Sequence, residues 1–526
     1  MGGSFPGRLS KTDLIVLIVL AYFIFTPTHA ISRDLYSGSF EGSDRPAVQY
    51  NPDGEFIPRN HTLNGDSVHV SWTRYFDEEF YFPDDEVTAM CSGENGSVYV
   101  TGFNTWNGYS TVKFDSSGNI VWTAVYTPQN APDKPIDIII DESSNVYVAG
   151  QNGGDFVLLK YNTNGELLWE SSYDGGYGID YPTACVLDDD GGIIVTGGSE
   201  GPTGGDYYWH DIATVKFNQN GEIEWEARYE GPAGLSDYPE DICIDIWGNI
   251  YVTGGSYSEL TRQQLISIKY SSQGIEQWVD LYSASDQYSR DRGVALTVDT
   301  EGNVYVVGTS RGTGNYDDFV TIQYDESGSK QWISRYEGST GYSFPEGIEV
   351  DVNGDIIVGG TFSNPSSSFD VLVVKYKQDG TELWNTSYDA GFHGSEHASD
   401  ITVDGQGSIY VTGFTAAYNV PEDILSIKYS TDGILEWDSI YDSASGGIDE
   451  GVAVEIDQIG NVNVTATVIN AGSGSDYAIL RLNASSGTVE WMCSYNDPDG
   501  KSVNRAQDIV VSSNGEIYVT GRLREN

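Results

Sequence analysis

A tryptophan returns about every fifty residues along this chain, and that recurrence constrains the fold more than any other feature. Trp72, Trp122, Trp169, Trp225, Trp278, Trp332, Trp384, Trp437 and Trp491 are separated by 50, 47, 56, 53, 54, 52, 53 and 54 residues. An aromatic stands four residues after each, from Phe76 and Tyr126 through Tyr441 and Tyr495. A glycine stands four residues before the last eight: Gly118, Gly165, Gly221, Gly274, Gly328, Gly380, Gly433 and Gly487. A register kept over this distance marks a tandem repeat, although the length alone would suggest about three or four domains.

Each unit reads as four short strands, a to d. Unit seven shows them as Asp400–Asp404, Ser408–Gly413, Asp423–Tyr429 and Leu435–Tyr441, rich in β-branched and aromatic residues and bounded by Gly, Asn, Asp and Ser. No stretch downstream of residue 30 sustains a helical period. Four-stranded units of this length predict an all-β chain folded as a β-propeller.

Eight units are complete, and strands a and b recur once more at Asp508–Gly521. The missing halves stand near the other terminus. Asp44–Tyr50 matches strand c, and Ser67–Phe76 matches strand d. Both termini would then share one blade and cover otherwise exposed strand edges. The expectation is nine blades, eight complete and one split; the alternative is eight, because Asn51–Gly65 separates the two N-terminal strands.

The pattern Asp-x-x-Gly-Asn-Val-Tyr-Val-x-Gly, carried at Asp299–Gly308, and Asp-x-x-x-x-Lys-Tyr-x-x-x-Gly-x-x-x-Trp, carried at Asp423–Trp437, resembles the β-propeller repeat called SBBP. The resemblance covers Asp44 to Gly521. It implies an exported or cell-surface protein of prokaryotic type and specifies no ligand. The repeat's name implies seven blades, from which this chain departs.

Arg8 and Lys11 precede an apolar run, Leu14–Phe25, and small residues at Thr28 and Ala30 complete the pattern of a secretory signal. Residues 1–30 are read as that signal, 31–43 as a polar linker and 44–526 as a single propeller. The run is short for a bilayer span, which needs about 20 residues. An uncleaved anchor is the alternative, and no second apolar segment of spanning length follows. The expected location is secreted or cell-surface, without membrane insertion beyond the signal.

With 26 Lys+Arg against 78 Asp+Glu, the formal charge is −52, which argues against nucleic acid and anionic lipid as partners. Hydrophobic residues at 39% are too many for a disordered acidic tail, so a packed core is expected. Cys91, Cys185, Cys243 and Cys493 admit three pairings, and buried free thiols are the preferred reading. Asn463 opens a glycosylation sequon but lies mid-strand, where a glycan is not expected.

In a four-stranded meander the a–b and c–d turns share one face, and the b–c and d–a loops share the other. The first is trimmed to glycine turns; the second is long, variable and aromatic, so binding is expected there. Candidate residues are Trp106 and Tyr109 in unit one, and Tyr207, Tyr208, Trp209 and His210 in unit three. Such aromatics can contact a protein or stack on sugar rings, or fold back over the rim.

An aspartate recurs at the start of strand c: Asp44, Asp155, Asp211, Asp318, Asp370, Asp423 and Asp476, with Gly108 and Gln264 in the other two units. A carboxylate ring of this kind can hold cations; local hydrogen bonding at the loop is the preferred reading. The metal candidates are Asp188 and Asp190, Asp351 and Asn353, and Asp497 and Asp499, each resembling the start of a calcium loop without its remaining ligands. No cofactor is expected beyond Ca²⁺ at such positions. His393-Gly-Ser-Glu396-His397 lacks helical metal spacing and reads as a d–a loop turn.

No nucleophile elbow or phosphate-binding loop is present, and no catalytic residue is assigned. The expected function is therefore a non-enzymatic, exported, monomeric scaffold that binds an extracellular protein or glycan through its b–c and d–a face. Two alternatives remain. One is a propeller enzyme, carbohydrate-active or quinoprotein-like, although the adjacent cysteines of many quinoproteins are lacking. The other is an envelope component bridged by divalent cations.

Overall fold

The computed structural model describes residues 15–19, 61–63, 66–74 and 85–524, apart from segments 105–107, 128–133, 202–208, 260–261, 285–289, 312–315, 337–340, 365–367, 392–393, 417–420, 444–446, 470–473, 496–502 and 513–514. The chain is all-β. The described residues contain one short 3-10 turn, Glu94–Gly96, and no helix long and apolar enough to cross a membrane.

Unit seven forms an antiparallel meander of strands Ser395–Val403, Ile409–Ala416, Asp423–Tyr429 and Leu435–Tyr441. The same a-b-c-d order recurs along the chain, and the architecture is a β-propeller. Strands b and c are buried on both faces because sheets stack on either side of them. In unit three, Ile193–Glu200 is buried at every residue. Strand d lies outermost, and its first residues face solvent, as at Ile223–Tyr229.

The repeated residues have structural partners. In the a–b turn, Asp404 Oδ1 accepts the amide protons of Gln406 and Ser408 at 2.8 and 2.9 Å, and Oδ2 accepts the Tyr410 hydroxyl at 3.0 Å. Gly407 in that turn has φ 83°, which a side chain would resist. The tryptophans latch sheet to sheet. Seven indoles donate Nε1–H to a carbonyl in the c–d turn of the next unit, from Trp122 to Thr163 O at 3.0 Å through Trp437 to Ala484 O at 3.0 Å. Each such hydrogen bond contributes about 1 kcal/mol, and the ring burial adds to it.

The structure differs from expectation in three places. First, strand a is longer than its alternating half. In unit seven it begins at Ser395 and crosses a bulge between Ala398 and Asp400, so Glu396 and His397 lie in a strand, not a loop turn. The bulge breaks the two-residue period, which hid the first half.

Second, the ladders give fewer separate four-stranded blades than the eight or nine expected. Units six and seven join into one eight-stranded sheet through a parallel contact of Phe369 with Ser395, and strands from both termini join unit one in a nine-stranded sheet.

Third, the neighbour of the C-terminal strand Ile517–Arg524 is Ile15–Val19, paired in parallel, with Asp66–Arg74 beyond it. Asp44–Tyr50, expected beside that strand, lies outside the described residues. The Ile-Val-Leu-Ile-Val sequence of Ile15–Val19 has high strand propensity, and the open edge offers unpaired amides.

The four cysteines are free thiols, and burial pushes Cys493 up to about 11. Asn463 is fully buried, and its Oδ1 accepts from Arg481 Nε at 3.1 Å, which leaves no room for a glycan.

Candidate functional site: aromatic arcs on the long-loop face

Two b–c hairpins reach past their neighbours on the long-loop face. In unit four, Ile250–Ser258 and Arg262–Tyr270 have nine residues each, against seven in unit two's Val146–Asn152 and Asp155–Tyr161. Unit six repeats this with Ile356–Asn364 and Ser368–Tyr376. Both return through a left-handed residue, Arg262 at φ 69° and Ser368 at φ 98°.

Beside each hairpin runs an arc of rings contributed in the order a, c, next a, next b. In the first, Tyr181 lies 5.2 Å from His210, His210 lies 6.4 Å from Tyr238, and Tyr238 lies 5.9 Å from Tyr257, edge to face. In the second, Phe344 lies 6.2 Å from Phe369, and His397 sits between Phe369 at 5.0 Å and Phe414 at 4.7 Å. Tyr257 and Phe344 are 38% and 44% exposed, so each arc ends at solvent.

The first arc borders a cleft of about 360 Å³ lined by Pro232, Ala233, Tyr257, Ser258, Glu259 and Gln264. Burial holds His210 below the usual imidazole range, although Glu200, Asp180 and Asp211 pull the other way. Burial likewise lowers His397. Both rings are therefore neutral at pH 7 and behave as flat, weakly polar surfaces. On the same face, burial pushes Glu396 up to about 7 and Asp237 up to about 6.

The recurrent strand-c aspartates divide by neighbour. Arg228 Nε meets Asp211 at 2.7 Å in unit three, and an Arg335 guanidinium nitrogen meets Asp318 at 3.1 Å in unit five. In units two and seven the arginine position is Ser172 and Ile440. There three carboxylates converge instead, Asp155 with Asp174 and Asp180, and Asp423 with Asp442 and Asp449, their oxygens within 4.8 Å of one another. Asp180 and Asp449 also take amide protons, from Gly175 at 2.6 Å and Ser443 at 2.6 Å, as Asx-type loop closures do.

Of the residues singled out from sequence, His210 is central to the first arc, and Trp209 is half-buried just before it. Tyr109 is fully buried, packs on Tyr126 at 5.4 Å and donates its hydroxyl to the Gln151 carbonyl, so it serves packing between sheets. Trp106, Tyr207, Tyr208, Asp497 and Asp499 lie outside the described residues. Asp188 Oδ1 caps the amides of Asp190 and Gly192, and its Oδ2 meets Lys216 at 2.6 Å. Asp351 Oδ1 caps Asn353 and Asp355, and its Oδ2 meets Lys375 at 2.7 Å. In both turns a lysine ammonium already sits where a cation would.

Sequence reasoning missed Tyr181, Tyr238, Tyr257 and Phe344. A signal existed: Asp180-Tyr-Pro, Asp237-Tyr-Pro and Ser343-Phe-Pro repeat an aromatic–proline pair at the start of strand a.

No known family profile matches the chain, and no curated protein matches it. Among solved structures, prolyl endopeptidases are similar at 12% identity over 83% of this chain and 61% of theirs, TM-score 0.39. A gluconolactonase from Xanthomonas campestris is similar at 11% identity over 52% of this chain and 82% of its own, TM-score 0.28. The calcium-binding protein regucalcin from Agrobacterium tumefaciens is similar at 13% identity over 53% and 83%, TM-score 0.28. Likeness at this level transfers no activity.

Proposed function

We propose that the protein is an exported, monomeric, non-enzymatic propeller that binds an extracellular partner, protein or glycan, through its b–c and d–a face at the cell surface or after secretion. In this reading the repeat is of the SBBP kind, and nine blades close the ring, the ninth shared between the termini. One observation carries the binding reading: two aromatic arcs of the same strand order, each ending at solvent beside an elongated hairpin. Aromatic rings held rigid at a surface suit recognition, since little side-chain entropy is lost on binding. The test is retention of the full chain on arrayed neutral and anionic oligosaccharides and on coated fibronectin and collagen. The reading expects a loss with Tyr257→Ala plus Phe344→Ala; undiminished retention by the double variant would remove it.

A second reading rests on the carboxylate triads of units two and seven, which lack the arginine of units three and five. It assigns them to Ca²⁺ as fittings of an envelope protein. A saturable rise in Tm with calcium at constant ionic strength, lost in Asp174→Asn plus Asp442→Asn, supports it. A rise matched by sodium at equal ionic strength refutes it.

A further inference from the structure

We infer that the cleft beside Tyr257 is a subsite for one ring of a neutral saccharide; this rests on the binding reading above and gives its first arc a ligand class. The argument begins with the walls. Tyr257 offers a ring held in place edge-on by Tyr238, at 5.9 Å and 80°. The aliphatic C–H face of a pyranose carries slight positive charge and matches the negative face of such a ring. Around it stand a carboxylate, an amide and a hydroxyl, from Glu259, Gln264 and Ser258. That set both donates and accepts, as a ligand covered in hydroxyls requires.

The size agrees. About 360 Å³ falls at the lower end of the roughly 300–1,000 Å³ common for small-molecule sites. Other ligand classes fit less well. An anionic polymer meets exposed Glu259 on a chain of formal charge −52. An extended peptide gains most by adding a strand to an open edge. Here the hairpin strands are laddered from Ser258 with Arg262 down to Ile250 with Tyr270, so they offer each other, and not a ligand, their backbone groups. The second arc ends in phenylalanines, Phe344 and Phe414, and the polar-lined cleft lies beside Tyr257, so the saccharide subsite is assigned to unit four.

The experiment is calorimetric titration of the full chain with cellohexaose, laminarihexaose and mannohexaose, with oligogalacturonate as the anionic counterpart. At least one neutral hexasaccharide is expected to bind, and the anionic one not. Tyr257→Ala should cost roughly tenfold in affinity, the scale of one stacking contact with its neighbouring hydrogen bonds. Gln264→Ala should weaken binding less, and Ile459→Ala, at an exposed a–b turn outside the binding face, should leave it within about twofold. Near-ultraviolet circular dichroism of each variant confirms that the arc is intact. Failure of every neutral hexasaccharide to bind overturns the inference. If Tyr257→Ala still abolishes retention on fibronectin or collagen, only the ligand class falls and the binding face stands. Saccharide binding that survives Tyr257→Ala overturns the subsite, and its loss in Phe344→Ala would move it to the second arc.

Discussion

Trp384 and Gly433 are in direct contact across the boundary between units six and seven: a Cβ built on Gly433 would lie 2.4 Å from the indole ring. The same indole donates its N–H to Thr431 O at 3.1 Å, and Gly433 has φ 76°. The turn glycine therefore meets two demands, a left-handed backbone and an open surface for its neighbour's ring.

Gly433→Ala violates both demands. It should destabilise the fold by about 2–4 kcal/mol, combining the cost of a left-handed alanine with overpacking against the ring. Trp384→Phe keeps most of the packing and loses the hydrogen bond, so about 1 kcal/mol is expected. Urea unfolding of the two variants beside the wild type checks the order. A Gly433→Ala protein as stable as the wild type would break the latch argument.

Lys375 and Asp351 form a buried ion pair at 2.7 Å, with side chains 2% and 0% exposed. Burial alone would raise the Asp351 carboxyl, but the Lys375 ammonium and the amides of Asp355 and Asn353 outweigh it and hold the group below the ordinary range. A depressed carboxylate stabilises the fold above its unfolded pKa of about 3.9, and that contribution is lost as pH falls through the folded value. Lys375→Met should cost about 3–5 kcal/mol at pH 7 by leaving the carboxylate unpaired. Its deficit should shrink below pH 4, which a pH series of unfolding curves would show.

Glu396 behaves in the opposite sense. Burial, then the carboxylates of Asp389 and Asp370, push it up to about 7, while Thr415 donates to Oε1 at 2.9 Å. Between the unfolded value near 4.3 and the folded one, the native state holds the extra proton, so stability falls as pH rises through this window. Glu396→Gln should raise Tm at pH 8 and give no gain at pH 4. Thermal scans at the two pH values settle it, and equal effects at both would refute the assignment.

Ser368 holds φ 98° with its side chain in solvent. Ser368→Gly relieves a strain of about 1–2 kcal/mol against a loss of chain stiffness of about 0.5–1 kcal/mol. A net gain below about 1 kcal/mol is expected from chemical unfolding, with no change in ligand binding. A destabilised variant would show that the serine makes contacts outweighing its backbone.

The repeat, its four strands and the all-β propeller were legible from residues alone. The reason is local: a two-residue alternation, Asp-x-x-Gly turns and a Trp–Gly pair recurring at one spacing each encode their own geometry. Strand a was half hidden because its bulge shifts the alternation. The pairing of Ile15–Val19 with Ile517–Arg524 was invisible because it joins residues some 500 positions apart through backbone groups that carry no side-chain signature.

The candidate site divides the same way. His210 could be picked out by its chemistry. Tyr181, Tyr238 and Tyr257 looked like ordinary strand aromatics, and only stacking of neighbouring sheets gathers them into one arc beside a cleft. By itself the sequence determined the unit and its turns, since these depend on contacts within one repeat, whereas the latch joins each indole to a turn of the next sheet. Tertiary structure decided which rings remain at the surface and which, like Tyr109, are sealed beneath the next sheet. Burial is a property of the packed neighbour, and no residue's own identity contains it.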